Sequence, residues 1–313
     1  MLRSLLLALS TRRRIGELMD RVPATHRLIR RFVAGTTPDS ALEVVARVNA
    51  QGMTGAVTYL GENVSTRAQA QAATLVYRDV VEAIAARGLR ALPSVKLTHL
   101  GLDVAPDACA SNVGEVAERC AAAGTRVWID MESSVYTERT LGLYERLHRA
   151  QPSAACVVQA ALRRTPVDVD RLVGMGAALR LCKGAYREAP DVAYPAKQEV
   201  DAAYARLADR LLEPRAQARG VYVGFATHDE RLIERVLATA LARGVSAARF
   251  EVQMLYGIRH DLHAPLRAAG LNVRVLVPFG EDWYGYFMRR LAERPANLVF
   301  LLRNLVRPSA AGI

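Results

Sequence analysis

Near the C-terminal end of the chain stands YGYFMRRLAERPAN, residues 284–297, with two adjacent arginines. Helical spacing puts Tyr286, Arg290 and Glu293 on one face and sets Arg289 one turn before Glu293. A guanidinium fork binds a carboxylate or a phosphate through two parallel hydrogen bonds. Two forks joined by a lysine from elsewhere in the chain would make a strong anion site, and Glu293 would orient one of them. The plainer alternative is a pair of ordinary helix-surface charges.

The elements that must carry such a site alternate along the chain. Short apolar runs appear at 56–60, 92–97, 127–131, 155–160, 179–186, 221–228, 249–255 and 273–280. Between them lie segments with helical periodicity, such as 66–87. Several of these stop at a glycine before the next run: Gly88, Gly124, Gly220, Gly244 and Gly270. Alternating strands and helices argue for a parallel sheet. Eight such units predict an α/β fold, a (β/α)8 barrel over residues 36–313, preceded by an N-terminal helical arm over 1–35. A doubly wound open sheet is the alternative, but no GxGxxG follows an early strand. Residues 1–14 read as part of the amphipathic arm rather than a signal peptide, because the apolar run is short and no cleavage site follows.

Barrel enzymes place their working residues at the C-terminal ends of strands. Those ends supply Tyr59 and Glu62, then Lys96, then Asp130 with Glu132, then Gln159. They continue with Arg180, Lys183 and Tyr186 on the fifth strand, Thr227, His228 and Asp229, and Glu251, Gln253 and Leu255. Each has a bland reading. Lys96 would pair with Asp130 as a structural ion pair, Gln253 would be a satisfied core amide, and His228 a plain hydrogen-bonded histidine. A carboxylate in a strand as apolar as VWIDM needs a partner. A lysine in a barrel mouth would otherwise serve as a Schiff-base nucleophile or anchor a carboxylate. His260 and His263 have i, i+3 spacing, with an exposed helix face as the default and a metal site as the alternative. The lone Gly280 after the last strand favours a carboxylate over a phosphate as the ligand.

The 313 residues are 51% hydrophobic with a net charge of +11, carried almost wholly by arginine; Lys96, Lys183 and Lys197 are the only lysines. A solvated basic surface explains the charge, with attraction to anionic lipid or an acidic ligand as the functional alternative. No strip of alternating aromatic and basic residues supports nucleic acid. Cys109, Cys120, Cys156 and Cys182 lack CxxC spacing, which suggests reduced thiols and a cytoplasmic location. No segment reaches the ~20 apolar residues of a membrane span.

SVKLTHLGLD (94–103), VWIDME (127–132), RLCKGAYRE (180–188), FATHD (225–229), FEVQMLYGIR (250–259) and VRVLVPFGEDWYGYFMRRLAERPAN (273–297) together resemble proline dehydrogenase. The likeness is to the monofunctional bacterial form and to the corresponding domain of the bifunctional enzyme. It implies a distorted (β/α)8 barrel with non-covalent FAD. The implied reaction is oxidation of L-proline to Δ1-pyrroline-5-carboxylate, with hydride passing to flavin N5 and electrons then to a membrane quinone, and peripheral contact at the inner membrane face is the matching expectation. The resemblance assigns the substrate carboxylate to Lys96, Arg289 and Arg290, and further substrate contacts to Tyr286, Leu255 and Leu276. It makes Asp130 and Arg180 catalytic, with Arg180 near the flavin. Flavin contacts fall on Met131, Gln159, Arg180, Lys183, Gly184, Ala185, Tyr186, Thr227 and His228. Glu62 is expected to form a gate ion pair with Arg289. Two departures stand out: Leu276 replaces a common tyrosine, which bears on proline against 4-hydroxyproline, and Arg187 replaces an aromatic. A lysine Schiff-base aldolase using Lys96 or Lys183, and a non-enzymatic anion- or membrane-binding barrel, are the competing readings.

Overall fold

The computed structural model describes residues 29–150, 153–186 and 188–293, except the side chains of 292 and 293. Eight strands run β1 (Thr54–Tyr59), β2 (Ala91–Val95), β3 (Val127–Ile129), β4 (Ala154–Gln159), β5 (Ala178–Cys182), β6 (Tyr222–Ala226), β7 (Phe250–Leu255) and β8 (Val273–Phe279). All neighbours are parallel, and β8 returns to β1 over a six-residue register from Thr54 opposite Arg274 to Tyr59 opposite Phe279. This closure excludes the open doubly wound sheet. The helices are α1 (Pro38–Ala50), α2 (Arg67–Ala86), α3 (Pro106–Ala122), α4 (Thr137–Ala150), α5 (Thr165–Gly174), α6 (Lys197–Leu211), α7 (Pro214–Ala218), α8 (Glu230–Ala242), α9 (His263–Ala268) and α10 (Trp283–Glu293).

The local chemistry explains the element ends. At the start of α2, the Thr66 side chain accepts from the Gln69 amide, while the Gln69 side chain accepts from the Thr66 amide. Gly88 (φ 60°) and Gly124 (φ 66°) end α2 and α3 in the left-handed conformation that glycine adopts without steric cost. The expected strand that falls furthest short of its apolar run is the fifth. β5 ends at Cys182, so Lys183 and Tyr186 stand in the loop beyond it, because Gly184 (φ 107°) turns the chain out of extended geometry. β3 likewise ends at Ile129, although the Asp130 amide still donates to the Val95 carbonyl at 2.8 Å.

Two apolar cores divide the work. The larger fills the barrel and the space between it and its helix ring, with Trp128, Tyr77, Tyr144, Tyr204 and Phe225 among its fully buried members. The smaller joins Ile29, Phe32, Val33, Leu60 and Ile258 to Trp283, Tyr284, Tyr286, Phe287, Met288 and Leu291 of α10. Phe32 meets Phe287 edge-on at 6.1 Å, and the Ala34 amide donates to the Pro278 carbonyl at 2.8 Å. Of the expected arm 1–35, residues 1–28 lie outside the described residues, while 29–35 pack against α10 and the end of β8. This second cluster seats α10 beside the C-terminal end of the barrel.

Candidate active site

Alternate residues of a strand share one face. Cross-strand register therefore places Ser94 with Trp128, Val157 with Arg180 and Gly224, Gly224 with Glu251, and Gln253 with Arg274 on the barrel interior. The same alternation carries Lys96, Asp130, Gln159, Leu255 and Leu276 toward the C-terminal mouth. Leu255 and Leu276 stand directly opposite each other on β7 and β8.

Arg180 is the centre of one polar group. Its Nη1 donates to Asp130 Oδ1 at 2.5 Å and to Ser94 Oγ at 3.1 Å, and its Nε donates to Gln253 Oε1 at 2.5 Å. The Ser94 hydroxyl also donates to Asp130, at 2.7 Å. The guanidinium lies over the Trp128 ring, 4.8 Å from its centroid. Its Nη2 is buried and has no hydrogen-bond partner among the described residues. Asp130 therefore has its partner, but that partner is Arg180 rather than Lys96; the structural Lys96–Asp130 pair does not form.

Lys96 makes no hydrogen bond or ion pair among the described residues. Its charge instead acts on three neighbours, Glu62, His99 and Glu132. Glu62, in the loop after β1, accepts from Arg289 Nη1 at 3.2 Å and from the Tyr186 hydroxyl at 3.4 Å. Burial pushes the Glu62 carboxyl up, but Arg289 and Lys96 outweigh it and hold it below the usual range. Both cations therefore converge on one carboxylate. Arg290 is 7% exposed, with its guanidinium 5.1 Å from the centroid of the Tyr286 ring, one turn earlier. Neither arginine is an ordinary helix-surface charge; Glu293, expected to orient one of them, has its side chain outside the described residues. Glu132 is 3% exposed and takes hydrogen bonds from the Thr98 amide at 3.0 Å and the Thr98 hydroxyl at 2.5 Å. Burial raises its carboxyl, against the pull of those bonds and of Lys96.

The other flank is set by the loops after β4, β5 and β6. Gln159 Nε2 donates to the Glu132 carbonyl at 2.7 Å. A Cβ on Gly184 would meet Gln159 Oε1 at 2.9 Å, so the chain approaches that amide in a way only glycine permits. Lys183 donates to Asp201 at 2.5 Å and to Asp229 at 3.1 Å, and Lys197 bridges the same two carboxylates. Burial would raise Asp229, but Lys183 and Arg231 overcome it and hold it at about 2. An amine engaged by two carboxylates is poorly presented to a carbonyl, which counts against Lys183 as a Schiff-base nucleophile. His228 Nε2 accepts from the Leu255 amide at 2.9 Å, and the Thr227 hydroxyl accepts from the Asp229 amide at 3.1 Å. Met131 is 7% exposed. Ala185 and Tyr186 follow Gly184 in the same loop, while Arg187 lies outside the described residues. His260 and His263 stand edge to face at 5.2 Å.

Several partners escaped the sequence reading. Ser94 lies two residues before Lys96, so alternation alone would have flagged it. Trp128 lies two before Asp130 in the same way. His99 and Asp201 carry no such signal: the first lies in a turn, the second on a helix, and only folding brings them to the mouth. The arrangement brings the charges of Lys96 and Arg289 to Glu62 at the mouth, while the buried guanidinium of Arg180 keeps Nη2 unmatched among the described residues.

A family profile described as proline dehydrogenase matches residues 41–303. Proline dehydrogenase 2 of Bacillus subtilis subsp. natto is 35% identical over 277 residues, 88% of this chain and 90% of the relative. Proline dehydrogenase of Deinococcus radiodurans is 35% identical over 285 residues, 90% of each. The chain also superposes on proline utilization A from Bdellovibrio bacteriovorus, inactivated by N-propargylglycine, with a TM-score of 0.80 and 25% identity. That match covers 90% of this chain and 34% of the longer one.

Proposed function

Because the chain belongs to the proline dehydrogenase family, we propose that it oxidises L-proline to Δ1-pyrroline-5-carboxylate with non-covalent FAD and delivers the electrons to a membrane quinone. The observation that carries this reading is the unmatched donor set at the barrel mouth. Lys96 has no hydrogen bond or ion pair, and Arg180 Nη2 is buried without a partner, among the described residues. Leaving a buried charged donor unmatched costs on the order of 1–3 kcal/mol or more unless a ligand completes it.

The residues fit a flavin. Arg180 Nη2 is a spare cationic donor beside the fixed Asp130, and Gly184 keeps open backbone against Gln159. Met131, Gln159, Arg180, Lys183, Gly184, Ala185, Tyr186, Thr227 and His228 would hold the cofactor. FAD, when bound, supplies the hydride acceptor. Lys96, Arg289 and Arg290 would grip the substrate carboxylate and Tyr286, Leu255 and Leu276 would pack its ring, which fixes the reacting carbon in place. Asp130 neutralises Arg180 and holds its Nη1 edge. Glu62, bound to Arg289 and Tyr186, ties the loop after β1 to α10 and the loop after β5, and so helps exclude water.

No helix among the described residues is long and apolar enough to cross a membrane. Delivery to a quinone then takes place by peripheral contact at the cytoplasmic face of the inner membrane, which the net charge of +11 favours. The visible spectrum of the purified protein tests the reading. Flavin absorbance that bleaches with proline under anaerobic conditions is expected, with turnover restored by a quinone analogue. Time-dependent inactivation by N-propargylglycine is expected as well. Colourless protein trapped by borohydride with a carbonyl substrate would instead favour the lysine aldolase.

Leu276 bears on hydroxyproline as a second substrate. Leu255 and Leu276 present an apolar pair with no partner for a ring hydroxyl, so proline is expected to be preferred by on the order of tenfold or more. Side-by-side turnover of the two substrates, in wild type and Leu276→Tyr, decides this. Equal or greater turnover of 4-hydroxyproline by wild type would move the assignment to that substrate.

A further inference from the structure

Gln253 lies inside the barrel, below the mouth, and is 6% exposed. Its side chain joins two buried ion pairs. Its Oε1 accepts from Arg180 Nε at 2.5 Å, and its Nε2 donates to Glu251 Oε1 at 2.6 Å. The amide orientation follows from its neighbours, since a guanidinium offers only donors and a carboxylate only acceptors. Above it stand Arg180 and Asp130; below it stand Glu251 and Arg274, bonded in a fork at 2.7 and 2.9 Å. Each pair is neutral by itself. A carboxylate at position 253 would crowd Glu251, and an apolar group would orphan both Arg180 Nε and one acceptor site on Glu251.

The geometry around Arg180 gives this amide a specific task. Two of the three anchors, Asp130 and Ser94, sit on the same nitrogen, Nη1. Alone they leave the guanidinium free to swing about that corner. The Gln253 bond to Nε supplies the second corner, and a plane held at two corners fixes the third. That third corner is Nη2, the buried donor with no partner among the described residues. The sequence also makes room for the amide. Gly224 stands on the interior face of β6, and a Cβ there would meet the Gln253 Cδ at 2.8 Å and its Nε2 closer still. Its conformation is ordinary, so the need for glycine there is one of space.

We propose that Gln253 is a positioning residue for the redox reaction: it fixes the direction in which Arg180 presents Nη2 to the reacting centre, and Gly224 exists to admit it. The inference rests on the proline dehydrogenase reading of the mouth. Gln253 itself contacts neither substrate nor cofactor in this assignment; it acts through Arg180.

The test uses the full chain as purified holoenzyme with three variants. Gln253→Met keeps the length of the side chain and removes both hydrogen bonds. Gly224→Ala keeps the amide and displaces it. Asn272→Ala removes a different donor to Glu251, at 2.6 Å, without touching Arg180. For Gln253→Met and Gly224→Ala, kcat with proline is expected to fall tenfold or more, while KM stays within about twofold. Flavin content should be unchanged and the midpoint potential of the bound flavin should shift to a more negative value. Asn272→Ala should keep kcat within about twofold. Should Gln253→Met fail to fold, Gly224→Ala carries the same comparison. Unchanged kcat in the first two variants overturns the proposal. So does a loss confined to KM, or an equal loss in Asn272→Ala, which would mark the column as structural only. Wild-type protein that lacks flavin or does not oxidise proline would instead overturn the functional reading beneath it.

Discussion

The floor and the mouth of the barrel both hold charged side chains, and they treat them in opposite ways. At the floor, Glu251 is 0% exposed and accepts five hydrogen bonds, from Arg274 twice and from Tyr222, Asn272 and Gln253. Burial pushes its carboxyl up, but Arg274 outweighs this and holds it low. Arg274 spends its remaining bond on the Gly55 carbonyl at 2.8 Å. At the mouth, Lys96 has no such bond and Arg180 keeps one nitrogen unmatched among the described residues. A polar group that is fully matched from within has no need of a ligand, whereas one left unmatched holds its binding capacity in reserve. The same residue types are therefore matched from within below and left open above.

The largest effect should follow from breaking the floor. Arg274→Met leaves Glu251 buried and unpaired and is expected to cost about 3–5 kcal/mol of unfolding free energy. Denaturant melts measure this, and the folded fraction should keep the wild-type KM for proline. A mouth variant that destabilised the protein as much would erase the distinction. Lys96→Met should do the reverse. A lost charged hydrogen bond to the substrate carboxylate, about 1.5–3 kcal/mol, raises KM by roughly 10- to 100-fold, while the denaturation midpoint holds. Arg289→Ala and Arg290→Ala should behave likewise and leave flavin content intact, as steady-state kinetics and absorbance will show.

Glu62→Gln should have a smaller effect, because its partner Arg289 is partly exposed and such pairs contribute about 1 kcal/mol or less. A few-fold rise in KM near neutral pH is expected. Since the Glu62 carboxyl is held low, its contribution is present above the ordinary carboxylate range and fades as pH falls through the folded-state value. The variant and the wild type should therefore converge in acid, which a pH series of KM reads directly.

His99 packs 4.9 Å from the Tyr59 ring and is 6% exposed. Burial, then the charge of Lys96, depresses its imidazole from 6.5 to about 4. Between these values the unfolded chain binds the proton and the folded one does not, so acidification favours unfolding. Thermal midpoints of the wild type should fall across that window, and His99→Gln should fall less. Parallel curves would show that His99 remains neutral-indifferent and that the mouth imposes no such cost.

Much of the fold was legible because its signals are local. The eight apolar runs, the glycines that end α2 and α3, and the capping pair Thr66 and Gln69 each act within a few residues, and all eight strands formed within two residues of expectation except at the C-terminal end of β5. Period-two alternation also brought Lys96, Asp130, Gln159 and Leu255 to the interior face. Pairing was less legible. Asp130 needed a cation, and the chain offered Lys96 on the adjacent strand and Arg180 two strands away. Arg180 prevailed: its long side chain spans the barrel interior, stacks on Trp128 and shares Ser94 with the carboxylate.

By itself the sequence determined the order of strands and helices, the closed parallel architecture and the family. Those depend on periodicity and on motifs read in chain order. Only the tertiary structure decided which charges are matched and which are left open. That outcome depends on distances between side chains far apart in the chain: Glu62 reaches Arg289 and Tyr186, Lys183 reaches Asp201 and Asp229, and Gln253 reaches Arg180. No local rule encodes it, because electrostatic and hydrogen-bond energies fall off over a few ångströms of space, not over a count of residues.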